Sequence, residues 1–117
     1  MSQAITNKIL GQSRDNDTSV HQVYTPPDNR IAKINKIFLA NTSSSSVKVR
    51  VFISTGTTRD QTTAVLYDVP IGGLTTVEVD GGDEGYGLEF GDEIAYQQDT
   101  ANAITITVFG REYGEQI

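Results

Sequence analysis

Between Val47 and Ser54 the chain reads VKVRVFIS, with Val47, Val49, Val51 and Ile53 on one parity and Lys48 and Arg50 on the other. Strand side chains alternate between two faces, so this pattern predicts a half-buried β-strand. The same alternation recurs near the end, where Ile104, Ile106 and Val108 share one face and Thr105, Thr107 and Phe109 the other. That strand is apolar-looking on both sides. It is therefore expected to be central in its sheet, or to have Phe109 meet a second subunit.

Other segments are bounded by turn signals. TTAVLYDVP (Thr62 to Pro70) ends where proline withdraws an amide donor, and the pair Gly72-Gly73 turns the chain into LTTVEV (Leu74 to Val79). DGGDEGYG (Asp80 to Gly87) is a glycine-rich loop, followed by LEF and GDEIAYQQ, while REYGEQI reads as a tail. RIAKINKIFLAN (Arg30 to Asn41) spaces Ile31, Ile34, Ile37 and Phe38 by three and four, a helical period. Yet β-branched residues dominate and NTSSSS leads directly into the next strand, so a long bent strand and a hairpin are expected.

Roughly seven or eight short strands at about ten-residue spacing predict an all-β protein, an antiparallel two-sheet sandwich that is jelly-roll-like. Residues 1–29 are polar, hold the only histidine and end in TPPDN, and are read as an extended N-terminal arm; residues 30–117 are the β-sandwich domain. Ile5, Ile9, Leu10, Val20, Val23 and Tyr24 are the candidate arm anchors for a partner. The alternative is that Ile9 to Tyr24 form the first strands of the same sandwich and that Phe109 is core.

Composition narrows the role. With 117 residues, 37% hydrophobic, one thin core is expected, and oligomerisation becomes attractive. Fifteen acidic against nine basic residues give a net charge of -6, which disfavours a nucleic-acid partner. There is no cysteine, and no membrane-length apolar run or secretory leader is read in the chain, so synthesis in a cytoplasm is expected.

The search for chemistry assigns no catalytic residue and no cofactor. His21 lies in the polar arm, away from any rigid nucleophile elbow. Glu78, Glu84, Glu89, Asp92 and Glu93 could supply a glycosidase pair but form no motif, and there is no tryptophan to stack on a sugar. Asp80, Asp83 and Glu84 are the best calcium candidates, though the EF-hand spacing is missing and a charged hairpin is the preferred reading; no metal is assigned. Asn16-Asp17-Thr18 and Asn41-Thr42-Ser43 are read as turn chemistry.

KIFLANTSSSSVKVRVFIS, AVLYDVPIGGLTTVEV and GLEFGDEIAYQQDTANAITITVFGREY, together covering Lys36 to Tyr113, resemble small β-sandwich structural proteins of tailed bacteriophage virions. The resemblance lies in a strand ending Tyr67 to Ile71 before a hairpin and in the Gly91 to Glu93 turn before the last two strands. It implies a non-enzymatic virion protein of the capsid decoration or cement type, a homo-oligomer with a trimer favoured. The major capsid protein or another virion protein would be its partner, with Phe109 and Tyr113 at the subunit interface and the arm adding strands to a neighbour. A tail, baseplate or fibre adaptor is the alternative role. A carbohydrate-binding module is another, provided that Tyr67, Tyr86 and Tyr96 form an exposed row.

Overall fold

The computed structural model describes residues 7–114, and all regular structure among them is β-strand. The elements are β1 (Lys8–Ser13), β2 (His21–Tyr24), β3 (Arg30–Asn41), β4 (Val47–Thr55), β5 (Ala64–Ile71), β6 (Thr76–Asp80), β7 (Tyr86–Glu89), β8 (Asp92–Gln98) and β9 (Ile104–Gly114). Sheet A has the order β1-β9-β3-β6, with β7 continuing the line of β6 along β3; sheet B has the order β2-β8-β4-β5. Every pairing is antiparallel. Most successive strands cross from one sheet to the other, the exceptions being the β4–β5 hairpin in sheet B and β6 and β7 in sheet A, and the two four-strand paths make a jelly-roll sandwich.

The alternating positions supply the core. Ile37, Leu39, Ile104, Ile106 and Val108 of sheet A meet Val47, Val49, Val51, Ile94 and Tyr96 of sheet B, all nearly inaccessible. Each buried aliphatic side chain of this kind contributes about 1.5–3 kcal/mol. β3 is one strand of 12 residues, as expected from its β-branched content, and the helical spacing has a local cause. The β3–β9 register runs Ile34↔Gly110 and then Lys36↔Phe109, so Asn35 is an extra residue in a β-bulge. Inward positions therefore step from Ile34 to Ile37 by three instead of two. Gly110 sits opposite the bulge, where a Cβ would run into the Lys33 carbonyl, so the close approach of the two strands requires glycine there.

Two expectations are corrected, the arm and the tail; of the alternative, the strands between Ile9 and Tyr24 are found and a core Phe109 is not. Residues 7–29 do not form an extended arm: β1 pairs with β9 and β2 with β8, one on an edge of each sheet, so both belong to the body. Hydrophobic burial is the reason, since Leu10 and Val23 pack on the core, Tyr24 is buried and Val20 is half-buried. Ile5 lies outside the described residues. The segment from Arg111 to Gly114 is no tail but the second half of β9, paired with Arg30 to Lys33. Phe109 is not in the core; it lies half-buried on the opposite face of β9 from Val108. β9 is central, between β1 and β3, as its two apolar-looking faces suggested.

Candidate functional site

The outer face of sheet A is built by the positions that alternate with the core. Phe109 lies opposite Ile9 on β1 and Lys36 on β3; Phe38 lies opposite Thr107 on β9 and Glu78 on β6. Ile9 is 56% exposed. Phe38 and Phe109, with Asn7, Asn35, Lys36 and the loop residues Asp80, Gly82 and Asp83, surround an open concavity of about 540 Å³. Polar groups stand among the two rings: Lys36 Nζ lies 5.9 Å from the Phe38 ring centroid and 3.7 Å from Glu78, and Gln12 Nε2 donates to Thr107 Oγ1 at 2.9 Å. Tyr113 follows Phe109 on the same face, with its hydroxyl accepting from Arg111 Nε. Both residues expected at a subunit interface thus face outward on one strand.

The glycine-rich loop borders this concavity. Asn35 Nδ2 donates to the Gly82 and Asp83 carbonyls at 2.9 and 3.1 Å, and Arg111 Nη2 donates to the Asp83 and Glu84 carbonyls at 3.2 and 3.3 Å. Arg111 Nη1 also donates to Asn35 Oδ1 at 3.0 Å. A calcium ion would need those carbonyl oxygens, and a guanidinium already supplies the positive charge beside them. Among the described residues, no three His, Cys, Asp or Glu side chains are grouped as a metal site. Asp80 caps its own turn, its Oδ1 accepting from Gly82 N at 2.8 Å.

The outer face of sheet B is paired and partly roofed. Glu93, 1% exposed on β8, receives Arg59 Nε at 2.7 Å, Arg59 Nη2 at 2.9 Å and Gln22 Nε2 at 3.0 Å. The Arg59 guanidinium holds the Glu93 carboxyl below its ordinary range against the opposing effect of burial. Arg59 comes from the β4–β5 loop, which with Phe52 forms a second concavity, so Phe52 is only 2% exposed although it points away from the core. On β5, Asp68 adopts φ 54 within a register shift, and its carboxylate takes Arg50 Nε at 2.6 Å. The Arg50 guanidinium lies 4.2 Å from the Tyr67 ring centroid.

The remaining polar cluster joins the β1–β2 loop to the body. Gln98, 2% exposed, donates to the Asp15 and Asp17 carbonyls at 2.8 and 2.9 Å and accepts from Ile104 N at 2.9 Å. His21 Nε2 lies 2.6 Å from Asp17 Oδ1, and this hydrogen bond raises the imidazole above its ordinary value. Tyr96 is buried, which pushes its phenol up to about 12, and its hydroxyl accepts from Asp15 N at 3.1 Å. His21 therefore has a structural partner, a carboxylate of its own loop, and no serine or threonine hydroxyl of the described residues bonds to it.

The candidate carboxylates do not converge on a cleft. Glu78 pairs with Lys36 on sheet A, Glu84 lies in the glycine-rich loop, Glu93 is taken by Arg59 on sheet B, and the Asp92 carboxylate accepts from Glu89 N at 2.8 Å. The tyrosines do not form a row: Tyr67 is on sheet B, Tyr86 on β7 of sheet A, and Tyr96 is 1% exposed in the core. Of the arm anchors among the described residues, Ile9 alone is exposed, beside Phe109. Asn41 confirms the turn reading of its triplet: Nδ2 donates to the Ser45 and Ile71 carbonyls and Oδ1 accepts from Ser43. Sequence reasoning missed Arg59, Gln98, Arg111 and the Arg50–Asp68 pair. For Asp68 a signal exists, because inward positions on β5 step from Leu66 to Val69 by three, the mark of a bulge.

No family model and no curated protein sequence matches this chain.

Proposed function

We propose that the chain is a non-enzymatic structural protein of a tailed-phage virion, a head decoration or cement protein that acts as a symmetric homo-oligomer. The observation that supports this reading is the outer face of sheet A, where exposed Ile9 pairs with half-buried Phe109 across β1 and β9 and half-buried Phe38 stands nearby on β3, among Lys36, Thr107 and Glu78. A solvated antiparallel face normally alternates to polar residues, and contiguous apolar surface marks an interaction site. Aromatic side chains on rigid strands supply large contact area at small entropic cost. The jelly-roll strand order is shared by capsid and lectin domains, so the fold is compatible with the reading without selecting it.

In this reading, sheet A joins subunits, with a trimer as the arrangement that the resemblance favours, and the assembled body rests on the major capsid protein. Contact is made by faces and loops, because β1 and β2 are committed to the body. Among the described residues, Glu93, His21 and Asp68 are each held by a structural partner, which supports this reading over a catalytic one.

The test is the mass of the purified chain by light scattering, with and without a calcium chelator. A mass three times the 12.7 kDa chain, unchanged by chelation, is expected. A monomer at every concentration would overturn the assembly reading, and a chelator-sensitive assembly would return Asp80, Asp83 and Glu84 to the site.

A further inference from the structure

The outer face of sheet B holds a preorganised polar groove that the assembly reading leaves unused. Arg50 on β4 stands directly opposite Gln97 on β8, and the two residues line both of the concavities on this face, of about 290 and 460 Å³. Thr18, Lys48, Asp68, Gln98 and Asp99 complete the smaller one. Tyr67, 38% exposed, borders the larger. Volumes of this size suit small-molecule sites, and sites built on strands hold their geometry better than sites on loops.

The groove is fixed before any ligand arrives. Asp68 takes Arg50 Nε at 2.6 Å and Nη2 at 3.2 Å, and the positive φ of Asp68 is what turns its carboxylate toward the guanidinium. Arg50 also lies over the Tyr67 ring. Gln97 Nε2 is anchored on the Thr18 carbonyl at 3.0 Å, and Asp99 Oδ1 accepts from Lys48 N at 3.1 Å. Among the described residues, Arg50 Nη1, Lys48 Nζ, Gln97 Oε1 and Asp99 Oδ2 have no hydrogen-bond partner within the protein. Donors and acceptors are thus both left over, in one place.

Charge identifies the ligand class. Lys48 and Arg50 balance Asp68 and Asp99, so the small concavity is neutral in a chain of net charge -6. A phosphate or carboxylate would meet the two aspartates, and a metal ion would meet the two cations. Hydroxyl groups both donate and accept, and so they match the mixed set that remains. We propose that this groove binds a neutral oligosaccharide, with one sugar between Arg50, Gln97 and Asp99 and the next against Tyr67. The site uses single side chains on β4, β5 and β8 in place of an aromatic row. It does not rest on assembly through sheet A, since it lies on the opposite face of the sandwich.

The experiment is an NMR titration of the ¹⁵N-labelled full chain with neutral gluco-, galacto- and manno-oligosaccharides, and separately with sialylated oligosaccharides and inorganic phosphate. At least one neutral oligosaccharide is expected to give saturable shifts at Lys48, Arg50, Tyr67, Asp68, Gln97 and Asp99 while Phe38 and Phe109 stay unmoved. Arg50→Lys, which keeps the charge and loses the fork, and Tyr67→Ala should each weaken binding by at least about tenfold. Asp99→Asn, which keeps the bond to the Lys48 amide, serves as a second variant if either fails to keep the wild-type spectrum. Failure of every neutral oligosaccharide to give saturable shifts overturns the proposal. So does response to the anionic ligands alone, or binding that survives in folded variants.

Discussion

The two outer faces of the sandwich are built by the same alternation and finish differently. On sheet B the positions that face away from the core are Arg50, Phe52, Glu93, Ala95 and Gln97; Arg59 caps Glu93 and the β4–β5 loop shares a concavity with Phe52. On sheet A the corresponding positions include Ile9, Lys36, Phe38, Glu78, Thr105, Thr107 and Phe109, and the glycine-rich loop borders Phe38 and Phe109 but leaves both rings half-buried. One face satisfies its buried groups from within the chain. The other leaves Ile9 exposed beside two half-buried rings, which is why the proposed assembly is placed on sheet A and the proposed ligand site on sheet B.

The largest effect expected of a single substitution is on sheet B. Arg59→Ala leaves Glu93, 1% exposed, without its cation, and should cost about 3 kcal/mol in urea unfolding. The pair also carries a pH signature. Folded Glu93 titrates below its ordinary 4.5, so its contribution is fully present above that pH and is lost as pH falls through the lower folded value. Acid unfolding of the wild type should therefore be steeper than that of Arg59→Ala. A variant as stable as the wild type would mean that sheet B's outer face is not held by this pair.

Next in size is the β5 bulge. Asp68→Val puts a β-branched residue at φ 54 and should cost about 2 kcal/mol, whereas Asp68→Asn, which tolerates that backbone, should unfold close to the wild type because the lost ion pair is exposed. Equal losses in the two variants, read by thermal unfolding, would show that charge and not backbone shape builds the groove. On sheet A the direction changes: Phe38→Glu with Phe109→Glu should cost the folded chain only about 1 kcal/mol, since neither ring is in the core, while removing association. The smallest effect is at the β5–β6 turn. Leu74 is 75% exposed at φ 60, and Leu74→Gly should raise stability by about 0.5 kcal/mol, the relief of left-handed backbone slightly exceeding glycine's entropic cost. A loss there would mean that the leucine packs on something in solution.

What could be read in advance follows from these same residues. Alternation in VKVRVFIS and ITITVF located β4 and β9 and their inward faces, because period two is a local property of the chain. The bulges at Asn35 and Asp68 were present as three-residue steps, but in β3 such a step also imitates a helical period. The polar N-terminal quarter left β1 and β2 only as the alternative to an arm, because edge strands need only a few inward residues, here Leu10, Val23 and Tyr24. Arg59 with Glu93 and Gln98 with Asp15 are far apart in sequence, and no spacing rule joins them. Phe109 was legible as a residue on the wrong face for a solvated sheet, and the structure keeps it there.

The central claim is that sheet A's outer face joins copies of this chain. Sedimentation equilibrium of the wild type and of the Phe38→Glu, Phe109→Glu double variant, run side by side at several concentrations, tests it most directly. A wild type at a small integral multiple of 12.7 kDa and a folded variant at 12.7 kDa is the predicted result. A wild type that remains at 12.7 kDa, or a variant that assembles as the wild type does, would contradict it.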